Sequence, residues 1–146
     1  MRKKDLELSE KKLRGIAKTL GYRIVLRSSL KKWYGFFDPQ HQRIVVRKSL
    51  KKNPTEFLFT IAHEIGHCID DMHMNKSKDQ DKAYQFLHEG KLLTKREQKQ
   101  ILKAERAANR IGMRIIKLFN IPLDDARVKH LANGCIEAYK IIFKTH

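Results

Sequence analysis

Three residues, His63, Glu64 and His67, have the types and the spacing for metal-assisted hydrolysis. Positions four apart lie one above the other on a helix, so both imidazoles can reach a single metal ion. Glu64 sits beside that face, where a carboxylate can take a proton from a water that the metal has acidified. The pattern is His-Glu-x-x-His, with Ile65 and Gly66 between. A structural metal has no need of such a carboxylate.

The pattern requires a helix, and the flanking residues predict one. Asn53, Pro54 and Glu56 are suited to N-cap, first and third positions, so a helix should open there and run through Phe57–Ala62 into the motif. Winding at the helical period places Leu58, Ile61, Ile65, Cys68 and Met72 on one side. Glu56, Thr60, His63, His67 and Asp70 fall on the other, which puts the histidines away from the main core face.

A second acidic residue stands out further along. Thr94-Lys95-Arg96-Glu97 is a capping box, and the helix it opens has a stripe of Ile101, Glu105, Ala108, Gly112, Ile115 and Phe119. Glu105 occupies a position where a core residue belongs, and burying it unpaired costs several kcal/mol. A metal ion removes that cost; an edge position reaching water or an arginine is the other solution. Ala108 and Gly112 on the same face allow close approach to the histidine helix.

The rest of the chain supplies the frame. Ser9 is expected to cap a first helix that buries Leu13, Ile16, Ala17 and Leu20 and ends at Gly21. Residues 22–27, 33–37 and 43–47 are rich in β-branched and aromatic side chains and predict three strands, the last two joined as a hairpin by the turn at 38–42. After a loop-rich stretch from Asp71 to Leu93, with a short helical piece at 82–88, come the Glu105 helix and a final helix near 123–143. In the final helix Val128, Leu131, Ala132, Cys135, Tyr139 and Ile142 are read as packing. His130 falls off that stripe, and it, His41 and His146 are assigned no role. The fold class is α+β: a small, mainly antiparallel sheet on the motif helix, with further C-terminal helices.

At 146 residues the chain suits one domain, 1–146, able to bury a core without disulfides. No apolar run reaches the length of a membrane span, and the charged N-terminus leads into no apolar stretch, so a cytoplasmic location is expected. The two cysteines, Cys68 and Cys135, agree with a reducing compartment and read as small buried thiols, with a redox or metal-switching role open for Cys68. Thirty-two Lys and Arg against 16 acidic residues give a net charge of +16. Such a field attracts polyanions. It leaves two partners open, nucleic acid or an acidic protein, because no arginine-rich arm or helix-turn-helix pattern is present.

With His63-Glu64-x-x-His67 and Glu105-x-x-Ala108-Asn109 together, the chain resembles the gluzincin peptidases of the ImmA/IrrE type over about Tyr22 to Pro122. The resemblance implies a zincin-like fold, Zn2+ held by His63, His67 and Glu105, and Glu64 as general base. It further implies an edge strand that binds substrate in extended form, and limited cleavage of a DNA-bound transcriptional repressor. His73 competes as third ligand, since it lies six residues beyond His67; the Gly that such an arrangement uses to turn the chain is replaced by Asp70. Asp70 could instead orient a ligand histidine.

Two other functions fit the same residues: a SprT-like protease of DNA-bound proteins, and a non-catalytic, metal-stabilised module that binds DNA or a repressor. Retention of Glu64 favours chemistry. Tyr84, His88 and Tyr139 are the candidates for stabilising an oxyanion.

Overall fold

The computed structural model describes residues 1–30, 33–73 and 78–145, with backbone alone at 73, 78, 79 and 145. The element order is α1 (Lys3–Thr19), β1 (Arg23–Arg27), β2 (Gly35–Asp38), β3 (Arg43–Arg47), a 3-10 turn (Lys48–Lys52), α2 (Pro54–His73), α3 (Lys78–His88), α4 (Lys95–Leu118) and α5 (Asp125–Thr145). It is an α+β architecture, five helices around a three-stranded sheet.

Ile44, Val45 and Val46 of β3 are apolar in succession and fully buried, as a strand covered on both faces must be. β3 therefore takes the middle of the sheet, whose order is β1-β3-β2. The expected hairpin forms: β2 runs antiparallel to β3 with Phe36 opposite Val45. In its turn Asp38 accepts hydrogen bonds from the backbone N–H of His41 (3.3 Å) and from Nε of Arg43 (2.8 Å), and Gln42 takes a φ of 49°.

β1, on the far side, pairs parallel with β3, Val25 opposite Val45. The sheet is thus mixed, with one pairing of each kind, rather than mainly antiparallel. β1 takes the edge of β3 that the hairpin leaves open, and because the chain reverses once between β1 and β2 and again between β2 and β3, β1 runs parallel to β3.

α1 begins six residues before Ser9, which lies within the helix and buried rather than at its cap. The charged residues ahead of Ser9 are good helix formers and extend the helix outward. Its buried stripe, Leu13 and Ala17, packs in the main core with Ile24, Ile44, Leu58 and Ile65.

α2 is the centre of the molecule. Every residue from 57 to 66 is buried, because the sheet covers one side of the helix and α4 the other. Phe57, Leu58, Ile61 and Ile65 are fully enclosed, each stabilising by about 1.5–3 kcal/mol relative to exposure. The histidine side of α2, which winding the sequence places away from the main core face, is a second buried face, set against α4.

Two glycines set the α2–α4 distance. A Cβ on Gly66 would stand 2.3 Å from the carbonyl oxygen of Ala108, and one on Gly112 would stand 3.0 Å from the carbonyl of Ala62. Backbone thus meets backbone, as the small residues on the α4 stripe predict. α4 opens with the predicted capping box: Oγ1 of Thr94 accepts from the N–H of Glu97 (3.1 Å) and Glu97 accepts from the N–H of Thr94 (2.8 Å). Among the described residues no helix is long and apolar enough to cross a membrane.

Candidate metal centre

His63 and His67 project from consecutive turns of α2 with their rings perpendicular and 4.7 Å apart. Across the narrow gap kept by Gly66 and Gly112, α4 presents Glu105, 2 % exposed. Its Oε1 lies 3.1 Å from Nε2 of His63, and its Oε2 lies 2.7 Å from Nε2 of His67. Both ring nitrogens therefore converge on one carboxylate. Glu105 lies in the interior, as its place on the apolar stripe predicts, and the structure brings it to the two histidines 42 and 38 positions earlier.

Asn109, one turn after Glu105, fixes how His63 is used. Its Nδ2 donates to the carbonyl of Ala132 (3.2 Å), which leaves Oδ1 to accept from Nδ1–H of His63 (2.7 Å). With Nδ1 carrying the proton of the neutral ring, Nε2 presents a lone pair toward Glu105. Lone pair against carboxylate is repulsive unless a cation lies between. A proton is one solution: although burial alone would lower it, the hydrogen bond and charge of Glu105 lift His63 from 6.5 to about 9. The same histidines hold Glu105 well below the usual carboxylate range against the opposing effect of its burial. A divalent metal is the other solution, and two imidazoles with one carboxylate form a donor set used for catalytic zinc.

Asp70, considered as an orienting group, makes no hydrogen bond or ion pair among the described residues; Asn109 does that work. The side chain of His73, the competing ligand, lies outside the described residues, as does His146.

Glu64 is also buried, 5 % exposed, and in contrast to Glu105 makes no hydrogen bond or ion pair with a described residue. Burial raises its pKa, and the charge of Glu105 raises it further, against the pull of the two histidines. A buried carboxylate with no such bond, beside groups able to hold a metal, is a candidate general base or acid.

It faces a cleft of about 670 Å³ between β2, α2, α3 and α5. Gly35 allows β2 to come this close: a Cβ there would meet Cγ2 of Thr60 at 3.1 Å and would lie 3.6 Å from Cγ of Glu64. Among the described residues no strand pairs with the outer edge of β2.

Several side chains read as packing belong to the cleft. On α5, Leu131, Cys135, Tyr139 and Ile142 line it, while Val128 and Ala132 point into the core as expected. Cys135 is half-buried and donates from Sγ toward Oε1 of Glu105 at 3.7 Å. Burial, with the Glu105 charge next, pushes its pKa up and keeps it a thiol. Cys68 is fully enclosed, and burial pushes it up to about 11, which fits an inert core thiol.

The Tyr84 hydroxyl donates to Oε2 of Glu105 at 2.6 Å, so it holds the candidate ligand in place rather than standing free for an oxyanion. Tyr139 stacks on Trp33 at 6.0 Å, and His88 meets the edge of the same indole at 5.9 Å. Together they wall one end of the cleft. His130 is exposed at its rim.

Among known proteins, no family model, curated protein or solved structure matches the chain. The class that the fold and site define is therefore drawn from geometry: an α+β protein with a buried His/Glu cluster, able to hold a metal, at the floor of an open cleft.

Proposed function

We propose that the protein is a zinc-dependent metallopeptidase, with His63, His67 and Glu105 as metal ligands and Glu64 as general base. The observation that carries this reading is the contrast between two buried carboxylates. Glu105 is tied to both histidines, while Glu64, on the cleft side, makes no hydrogen bond or ion pair with a described residue.

Zinc at that centre supplies Lewis acidity, polarising a carbonyl and easing the loss of a proton from water. The remaining steps belong to the chain. Glu64 accepts the proton of the attacking water and returns it to the leaving amine, a role its raised pKa suits. The open edge of β2, held against Glu64 by Gly35, offers N–H and C=O groups to a substrate in extended form. Asn109 and Tyr84 keep His63 and Glu105 oriented so that neither side chain reorganises during reaction.

An extended segment on an edge strand is a stretch of polypeptide, which favours peptide hydrolysis. The resemblance to ImmA/IrrE-type peptidases supports a transcriptional repressor as the protein that is cut. The test is metal content with cleavage of repressor candidates and of casein in parallel. One zinc per chain, and a discrete cut in a repressor that Glu64→Gln abolishes, is the expected result. Retained cleavage in Glu64→Gln, or no zinc after loading, rejects the assignment.

A further inference from the structure

The solvent face of α4 carries charge that the cleft does not use. Lys99, Lys103, Arg106, Arg110, Arg114 and Lys117 are spaced by three or four residues, and all six are exposed. At 100° per residue they fall on one line, opposite the buried face with Glu105, Ala108 and Gly112. The two acids of α4, Glu97 and Glu105, lie off that line. Lys117 reaches Asp125 at 3.6 Å, and the other five make no ion pair with a described residue. Like charges three and four apart repel and weaken an isolated helix, so this row works against the element that bears it.

We infer that this ridge is a docking surface for the phosphate backbone of double-stranded nucleic acid. Its six cations span about 27 Å, roughly one per helical turn at 5.4 Å, which is most of the approximately 34 Å turn of a DNA duplex. A duplex bears one negative charge per about 1.7 Å of axis, so the length that the row spans carries more phosphates than the row has cations. An acidic protein would need carboxylates aligned over the same distance. Three of the six are arginines, whose planar fork matches phosphate oxygens. α4 contains no aromatic residue, so it lacks the stacking platforms that single strands require.

Glu105 is the sole α4 residue that lines the cleft, and it does so from the opposite face. A duplex on the ridge therefore leaves the cleft open. The inference does not depend on the peptidase reading, since the ridge would bind with the metal centre empty or filled.

The experiment measures binding of a labelled, mixed-sequence DNA duplex of about two turns by fluorescence anisotropy over a range of salt. Counterion release predicts a slope of log affinity against log salt near −5 for six phosphates, at about −0.9 each. In R106Q/R110Q/R114Q the slope should lose about 3 and affinity at 0.1 M salt should fall by more than about 100-fold. Gln is a good helix former and relieves repulsion, so melting should be unchanged or raised, separating lost binding from lost fold. K3Q/K4Q/K11Q, with the same change in net charge on α1, should keep the slope. Equal losses in both triple variants would assign the effect to overall charge and overturn the ridge. No duplex binding at low salt, or displacement of the duplex by polyglutamate with equal affinity, would overturn nucleic acid as the occupant.

Discussion

Oδ1 of Asn109 lies 2.7 Å from Nδ1 of His63, with the amide's other end anchored on the carbonyl of Ala132. The bond joins α4 to α2 and keeps a proton on Nδ1, so that when the ring gives up a proton it is Nε2 that is freed for a ligand. Asn109→Ala should therefore weaken zinc affinity by about 10–100-fold, the range for partners that orient metal ligands. Chelator competition on the purified variant checks it. Unchanged affinity would show that packing alone aligns His63.

Glu64→Gln separates chemistry from structure. Glu64 is buried with no hydrogen bond or ion pair to a described residue, so a neutral amide of the same shape should leave melting temperature level or higher. Cleavage should fall about 10²–10⁴-fold, the usual contribution of a positioned base. Zinc content should not change. A variant that melts well below the wild type would reveal a partner for Glu64.

Removing the metal should expose a pH dependence of stability. In the metal-free protein His63 titrates near 9, against 6.5 in an unfolded chain, because Glu105 outweighs the opposing effect of burial. Its contribution is complete below 6.5 and is lost as pH rises through about 9. Melting temperature of the metal-free protein should thus fall across that window, and Glu105→Gln should flatten the decline. A flat profile in the wild type would place the proton elsewhere.

Gly66→Ala and Gly15→Ala make a matched pair. At Gly66 the new methyl meets the Ala108 carbonyl at 2.3 Å, and the helices must part. The cost should be about 1–3 kcal/mol, as for overpacking, with loss of zinc as Glu105 recedes. At Gly15, within α1, a Cβ meets nothing within 4 Å, and Ala should stabilise by about 0.5–1 kcal/mol. Denaturant midpoints of the two variants give the comparison.

Local chemistry was legible in the sequence, as was the approach of α4 to α2; the remaining partnerships across the chain were not. The capping box at Thr94, the Pro54 start of α2 and the β2–β3 hairpin follow from residues within a few positions of one another. His63 and His67 were found by their four-residue spacing, and Glu105 because a carboxylate interrupts an apolar stripe. Asn109 carries no such conflict, and its role appears only when α4 is laid on α2. The α5 stripe has the same limit: Val128 and Tyr139 share a period, and nothing in that period tells a core wall from a cleft wall. The parallel β1–β3 pairing depends on β1 crossing to the edge of β3 that the hairpin leaves open, a property of the assembled molecule.

α2 supplies the middle of the hydrophobic core and the motif His63-Glu64-x-x-His67 from the same ten buried positions and their immediate neighbour. A substitution in α2 therefore meets two demands at once, core packing and the geometry of the candidate metal centre. Little of the helix can drift without loss of either fold or chemistry. Change in what the cleft accepts is left to the walls, where Trp33, His88, Leu131 and Tyr139 stand on three segments outside the helix: the stretch before β2, α3 and α5. A descendant could acquire a new preference by exchanging those residues while inheriting α2 unaltered.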